Sequence, residues 1–375
     1  MRILILLGVY ISVTFIISMR RSGIGCGCAG SMGPSYAKLF LFWVVTLLLG
    51  LLLLLTYTKS SFKFLQESRC QMLQQPIKQK APVCNITTQT VEKIVEKKIQ
   101  VPGPTQKISI PGLTSQGNTF DSKKPVPKIV HFTWYSGSKL TLRFHHYVCI
   151  CAALKFIKPE KIMFWYEVEP QGKYWEQSKV KISATSKLEM KYRVGPTSIY
   201  GNHISVAEHK SDVVRLEAVL KHGGIYMDLD VIMLKSMDDF LHHDTTMGFE
   251  LPNWLCNGFI MSKAFAPFLR MWHTEYVSFN DGNWNYHSVQ LPGIMAKNYP
   301  SLVHTEWDTI HRPNWQEIKK IYGIGVKYDW SRNYAMHLWY RKYDKEHNEE
   351  DIKKLNSTLG EMFRYILYGK KEIMS

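Results

Sequence analysis

Two apolar blocks open the chain, a long polar stretch follows, and strand-like and helix-like patterns alternate from there to the end. The stronger block is "LFLFWVVTLLLGLLLLLTY", residues 39–57, which carries no charge. At about 1.5 Å per residue it matches a hydrocarbon core of about 30 Å. The weaker block, "ILILLGVYISVTFIIS" at residues 3–18, is slightly short for a span. Residues 58–125 are rich in Lys, Gln, Thr and Pro and read as a stem. Within it Val91, Ile94, Val95 and Ile99 repeat at helical spacing, enough for a short coiled-coil turn through which two copies could form a homodimer. The stretch "PGPTQKISIPGLTSQGN" then breaks any helix.

From Pro127 the period changes. "KIVHFTW", "KIMFWYEV" and "LEMKYRV" predict buried strands, with a helix over 140–157 after the first. A helix over 205–222 leads into a strand at Ile225–Met227. "MGFEL" and "GFIMS" predict later strands, and 264–278, 286–298 and 351–368 predict helices. This alternation predicts an α/β domain with a largely parallel sheet over 126–375. Ligands of such sheets bind beyond the carboxyl ends of the strands, where the strand order switches.

Composition alters this picture in two places. The formal charge of +16 suggests a nucleic-acid binder, but its distribution argues otherwise. Residues 1–125 hold 15 Lys and Arg against 4 Asp and Glu, whereas 126–375 hold 32 against 27. The excess therefore flanks the apolar blocks, as a membrane-proximal segment would. No zinc-finger spacing or RNA-binding aromatic motif is present, so no nucleic-acid partner is expected. Arg20, Arg21 and Lys38 lie between the blocks and place that loop in the cytosol. The chain beyond residue 58 is then lumenal, whether residues 3–18 span the membrane as well or form part of a cytosolic segment over 1–38. Met19 or Met32 as the true start would leave that orientation unchanged.

Two triplets, Asn85-Ile86-Thr87 and Asn356-Ser357-Thr358, fit N-glycosylation and a secretory compartment. Of seven cysteines, Cys70, Cys84, Cys149, Cys151 and Cys256 follow the 39–57 block. In an oxidising lumen Cys70 would pair with Cys84, and Cys149 or Cys151 with Cys256. Cys26 and Cys28 fall on the cytosolic side.

Candidate chemistry concentrates in "SVAEHKSDVVRLEAVLKHGGIYMDLDVIMLK", residues 205–235. Val213, Leu216 and Leu220 make one apolar helix stripe. Asp212 and Arg215, three residues apart, share a face beside it. Gly223-Gly224 ends the helix, and Asp228 and Asp230 leave the carboxyl end of the next strand, at period two facing the same way. Two such carboxylates suit a hard cation, Mn²⁺ or Mg²⁺, which bridges a diphosphate and neutralises it as a leaving group. The chemistry is that of sugar transfer from a nucleotide diphosphate, with Asp212 and Arg215 orienting sugar hydroxyls.

The run Ser211-Asp212-x-x-Arg215 followed by Gly223-Gly224-Ile225-Tyr226-x-Asp228-x-Asp230 resembles the DXD sugar-binding region of a glycosyltransferase family. That family includes the yeast initiating α-1,6-mannosyltransferase, the animal α-1,4-galactosyl- and α-1,4-N-acetylglucosaminyltransferases and the clostridial glucosylating toxins. The resemblance implies a GT-A fold, a retaining mechanism and a nucleotide-sugar donor, either a UDP-sugar or GDP-mannose. The acceptor it implies is a glycan or glycolipid. Together with the uncharged 39–57 block and its flanking positive charges, it leads to the expectation of a Golgi membrane protein of type II, anchored by 39–57. It assigns Asp230 to the metal, Asp228 to metal, ribose or sugar, and Asp212 with Arg215 to the donor sugar; Tyr226 lies within the same donor-binding motif.

"KIVHFTWYSG" is similar to the family's opening strand, with Trp134 stacking on the donor base and His131 on the same strand. "CNGFIMSK" places Asn257 in the site, and "YAMHLWYR" places His337 near the diphosphate or metal. "SVQLPGIMAKNYP" departs from the Thr-Gly-Pro signature of the galactosyltransferase branch, which leaves donor and acceptor open. Plain structural roles compete at several positions: a core aromatic at Trp134, a satisfied buried His131, a turn residue at Asn257 and a packed His337. Two other functions compete as well. One is a non-catalytic carbohydrate-binding membrane protein on the same fold. The other is a phosphatase of the haloacid dehalogenase type, which also carries Asp-x-Asp after a strand.

Overall fold

The computed structural model describes residues 119–374, Ser136 and Ser138 excepted. The two apolar blocks, nearly all of the stem, and Cys26, Cys28, Cys70 and Cys84 lie outside the described residues. Among the described residues no helix is long and apolar enough to cross a membrane.

The strands are β1 (Ile129–Trp134), β2 (Lys161–Tyr166), β3 (Lys187–Tyr192), a two-residue pair β4 (Ser198–Ile199) and β5 (Asn202–His203), β6 (Gly224–Met227), β7 (Val231–Met233), β8 (Thr245–Leu251), β9 (Trp254–Ser262), β10 (His304–Glu306) and β11 (Ala335–His337). The helices are α1 (Phe144–Phe156), α2 (Lys173–Ser183), α3 (Ala207–His222), α4 (Pro267–Glu275), α5 (Leu291–Asn298), α6 (Lys319–Tyr322), α7 (Glu349–Lys354) and α8 (Thr358–Tyr368). Seven strands form one sheet in the order β10-β8-β9-β6-β1-β2-β3. Neighbours are parallel except where β9 runs antiparallel to both β6 and β8. The chain builds outward from β1 through β2 to β3, then returns to place β6 on the other side of β1. The switch point therefore lies between β1 and β6, and a ligand crevice is expected at their carboxyl ends.

Both faces of this sheet are covered, so its central strands are buried along most of their length, with only a few polar side chains among them. Val130, Phe132, Ile225, Met227, Phe259 and Met261 join one core, beneath α1 and α8. Tyr226 and Ile260 point the other way and join a second core with Val213, Leu216 and Leu220 of α3 and Phe268 and Trp272 of α4. The alternation of adjacent residues between the two cores follows from the pleat. The α3 stripe expected from the sequence is thus buried as expected.

Gly223 and Gly224 make the tight connection from α3 to β6. Their φ values are +65° and +104°. A Cβ on Gly224 would lie 2.3 Å from the carbonyl oxygen of Ile129, so any side chain would push β6 off β1.

The structure departs from the sequence expectations in several places. The 286–298 helix begins as a π-turn, Tyr286–Gln290, before α5 takes over at Leu291. The 351–368 helix is two helices, because Ser357 caps the start of α8 through its hydroxyl. Helix α2 and strands β7, β10 and β11 carry too little periodicity to be read from sequence. Cys149, Cys151 and Cys256 are free, so the expected pairing of Cys256 with Cys149 or Cys151 does not occur. Cys149 packs in the apolar core, while Cys256 faces His337.

Candidate active site

Thr133 and Trp134 end β1, and Asp228 follows β6, so the switch point gathers the acidic motif as the topology requires. The two aspartates do not sit on an extended strand. The Val231 amide donates to the Asp228 carbonyl at 2.9 Å, closing a turn over 228–231 that leads into β7. Even so, ligand atoms of Asp228, Asp230 and His337 lie within 4.8 Å of one another. The turn, not strand alternation, is what makes the carboxylates converge.

A second pairing brings in His337. Strand β11 runs antiparallel to β7 with His337 opposite Val231, and the Leu338 amide donates to the Asp230 carbonyl at 2.8 Å. His337 Nε2 then lies 3.2 Å from Asp230 Oδ1, and the Tyr340 amide donates to Asp230 Oδ2 at 3.0 Å. Burial alone would raise the Asp230 pKa, but His337 and the Tyr340 amide outweigh it and hold the carboxyl well below its usual range. Burial would likewise lower His337, and its pairing with Asp230 raises it instead. Trp339 adopts a left-handed backbone, φ +53°, and stacks on the His337 ring with centroids 3.7 Å apart. A non-glycine residue held in that region is a cost retained at the edge of the site.

Asp228 is fixed from the opposite side. Its Oδ1 accepts from the Tyr226 hydroxyl and lies 3.1 Å from Arg215 Nη1. Arg215 also reaches Asp212 Oδ1 at 3.4 Å, donates to Asn257 Oδ1 at 3.2 Å and to Ser211 Oγ at 3.0 Å, and lies over the Tyr226 ring. Asn257 returns its amide to Asp212 Oδ1 at 2.7 Å. Thr133 links the hydroxyls of Ser211 and Tyr226. Asp212, Arg215, Tyr226 and Asn257 are all buried, so this is an internal network and not the surface ion pair that helix spacing alone would also permit. Burial raises the Asp212 pKa despite Arg215 and Asn257.

The donor set fits a divalent cation. The contacts that hold Asp228 fall on Oδ1, while a Cβ added at Gly258 would lie 2.9 Å from its Oδ2 and 3.1 Å from His337 Cε1. Glycine at 258 therefore leaves room between the two groups. Two half-buried carboxylates beside an imidazole suit a hard to borderline ion.

The remaining expected residues are placed as follows. Trp134 is 7% exposed and meets His146 edge-on, and its Nε1 is buried without a partner. His131 lies away from the carboxylates. Its Nε2 bonds the Gly223 carbonyl at 2.8 Å, and its Nδ1 accepts from Trp165 at 3.2 Å. It thereby ties β1, β2 and the end of α3 together. Sequence reasoning missed Thr133, Gly258, Cys256 and His311. Ser211, quoted only as part of the motif, has a legible signal in its position one helical turn before Arg215. For His311 no local signal exists.

Fold and site together define an α/β protein with a cation-type acidic centre at the switch point of its sheet. Among characterised proteins, the family described as "Glycosyltransferase sugar-binding region containing DXD motif" matches residues 159–247, which hold Asp212, Arg215, Asp228 and Asp230. Glucan organizing enzyme 1 of Cryptococcus neoformans var. grubii is 32% identical over 236 residues, covering 57% of this chain and 62% of that protein. Lactosylceramide 4-alpha-galactosyltransferase of Mus musculus is 25% identical over 166 residues, 40% of this chain and 45% of that one. The solved structure of the bifunctional glycosyltransferase WbbM aligns over 66% of this chain and 50% of that one, at 10% identity and a TM-score of 0.40. Residues 159–247 thus resemble the DXD-containing sugar-binding region of glycosyltransferases, and the chain spans less than two thirds of the length of the two relatives named here. In this chain Asp-x-Asp follows β6, in the middle of the sheet. A phosphatase of the haloacid dehalogenase type would need it on the first strand.

Proposed function

We propose that this chain is a retaining glycosyltransferase with a GT-A catalytic domain over 126–375. It would move a hexose or N-acetylhexosamine from a UDP-sugar or GDP-mannose to a glycan or glycolipid acceptor. The observation that carries this reading is the convergence of Asp228, Asp230 and His337 beside the Arg215 network, at the carboxyl ends of β1 and β6. The GT-A reading is supported by the sheet itself, mostly parallel with the single antiparallel strand β9.

Asp228 and Asp230 would hold Mn²⁺ or Mg²⁺, with His337 beside them. When bound, such an ion neutralises charge on a departing diphosphate. The chain's own residues do the rest. Arg215 fixes Asp228 and carries a permanent positive charge next to the donor position. Asp212 and Asn257 offer hydrogen-bonding groups for sugar hydroxyls and orient the anomeric carbon. Trp134, at the carboxyl end of β1, would stack on the base of the donor nucleotide. The acceptor would attack from the face the diphosphate leaves, with the diphosphate taking its proton. Residues 39–57 would anchor the protein in the Golgi membrane as a single-pass type II protein, with this domain in the lumen and 58–125 as its stem.

Nucleotide release from UDP-galactose, UDP-N-acetylglucosamine, UDP-glucose and GDP-mannose tests the reading. Release from one donor is expected, dependent on Mn²⁺ or Mg²⁺. No release from any donor, with or without oligosaccharide and glycolipid acceptors, would favour the non-catalytic carbohydrate-binding alternative.

A further inference from the structure

Behind the two aspartates lies a second cluster that the sugar-transfer reading leaves unused. Cys256, His311 and His337 are all buried, and one ligand atom from each lies within 4.8 Å of the others. Both ring nitrogens of His311 are buried without any hydrogen-bond partner, an expensive state for a polar group with no exposure to water. The ring is held there by packing. Gly248 pairs with Cys256 across β8 and β9, and a Cβ on Gly248 would come within 2.8 Å of His311 Cδ2. Cys256 Sγ lies 3.7 Å from His337 Nδ1, within reach of a weak thiol hydrogen bond. That length is also close to the edge expected of a tetrahedral zinc site, about 3.5 Å from Zn–S of about 2.3 Å and Zn–N of about 2.0 Å. The irregular β8–β9 register around Gly248 to Leu251 buries Glu250, whose carboxyl contacts Cys256.

We propose that Cys256, His311 and His337 bind a zinc ion, with Glu250 beside it. A thiolate and a carboxylate together cancel the charge of Zn²⁺, so the filled site is neutral in an apolar setting. Coordination satisfies one of the two His311 nitrogens. It also gives His337 a defined role. With Nδ1 on zinc, Nε2 carries the proton and donates to Asp230 Oδ1, the carboxylate–histidine–zinc arrangement common to bound imidazoles. His337 is then a positioning residue for Asp230, and zinc fixes the geometry in which Asp230 meets its own cation. The zinc site does not depend on which sugar is moved, nor on whether any is.

The test uses the full-length chain purified in detergent from zinc-replete cells. Elemental analysis is expected to find one zinc per chain, lost in Cys256→Ser and His311→Gln. After chelation, titration with Co²⁺ should give a thiolate-to-cobalt charge-transfer band in the wild type and none in Cys256→Ser. Circular dichroism separates metal loss from failure to fold, and the wild-type cobalt spectrum needs no variant at all. Removing zinc should weaken Mn²⁺ binding about 10-fold or more. Wild-type protein with neither zinc nor a cobalt–thiolate band overturns the proposal. Zinc-loaded protein inactive on every donor overturns only the transferase reading.

Discussion

Nη1 of Arg215 lies 3.1 Å from Oδ1 of Asp228, joining the third turn of a buried helix to the first residue after a central strand. The guanidinium also serves Asp212, Asn257 and Ser211. Removing it leaves two carboxylates without their counter-charge in a largely buried setting. Arg215→Ala should therefore cost about 3–5 kcal/mol of stability. Arg215→Lys should cost less but still lower turnover, because an ammonium cannot reproduce the planar fork. Denaturant unfolding and turnover, measured on both variants, check this. Equal stability of wild type and Arg215→Ala would refute it.

Asp228→Asn and Asp230→Asn keep side-chain size and most hydrogen-bonding capacity, so both proteins should fold. Turnover should fall about 100-fold or more in each, the equivalent of about 2.7 kcal/mol. Calorimetric titration should show weaker Mn²⁺ binding in both. Normal turnover in either variant would remove that aspartate from the mechanism.

Gly258→Ala tests the space between Asp228 and His337. The new methyl would lie 2.9 Å from Asp228 Oδ2, and Asp228 cannot swing away easily because Arg215 and Tyr226 hold it. The strain should cost about 1–3 kcal/mol of stability. Metal affinity should fall about 10- to 100-fold. Unchanged Mn²⁺ affinity would mean that the ion binds elsewhere.

His131 makes a pH prediction. Burial, the largest cause, drops its pKa from 6.5 to about 3, against the raising effect of its bond to Gly223. The unfolded chain therefore takes up the proton first. The stability this neutral histidine confers is complete above pH 6.5 and is lost as pH falls from there towards 3, by up to about 1.4 kcal/mol per pH unit. His131→Gln should be less stable at pH 7.5 but should lose less stability between pH 6.5 and 5. Parallel stability–pH curves for wild type and variant over that interval would contradict this.

Sequence alone determined the unit from α3 to β6. Asp212 and Arg215 share a helix face by spacing, Gly223-Gly224 end the helix because φ is positive there, and the apolar run after them must be a buried strand. These relations span a few residues, and the chain's own periods encode them. The convergence of Asp228 and Asp230 was right in outcome and wrong in cause, since a turn brings it about. The family resemblance placed Asn257 and His337 near the aspartates, and the tertiary structure decided how they and the other neighbours reach them. Asn257, Cys256 and Gly258 arrive because β9 runs antiparallel beside β6, and His337 arrives because β11 pairs with β7 more than a hundred residues after the motif. Such pairings are set by which apolar surfaces can close over one another, and no local pattern records that choice.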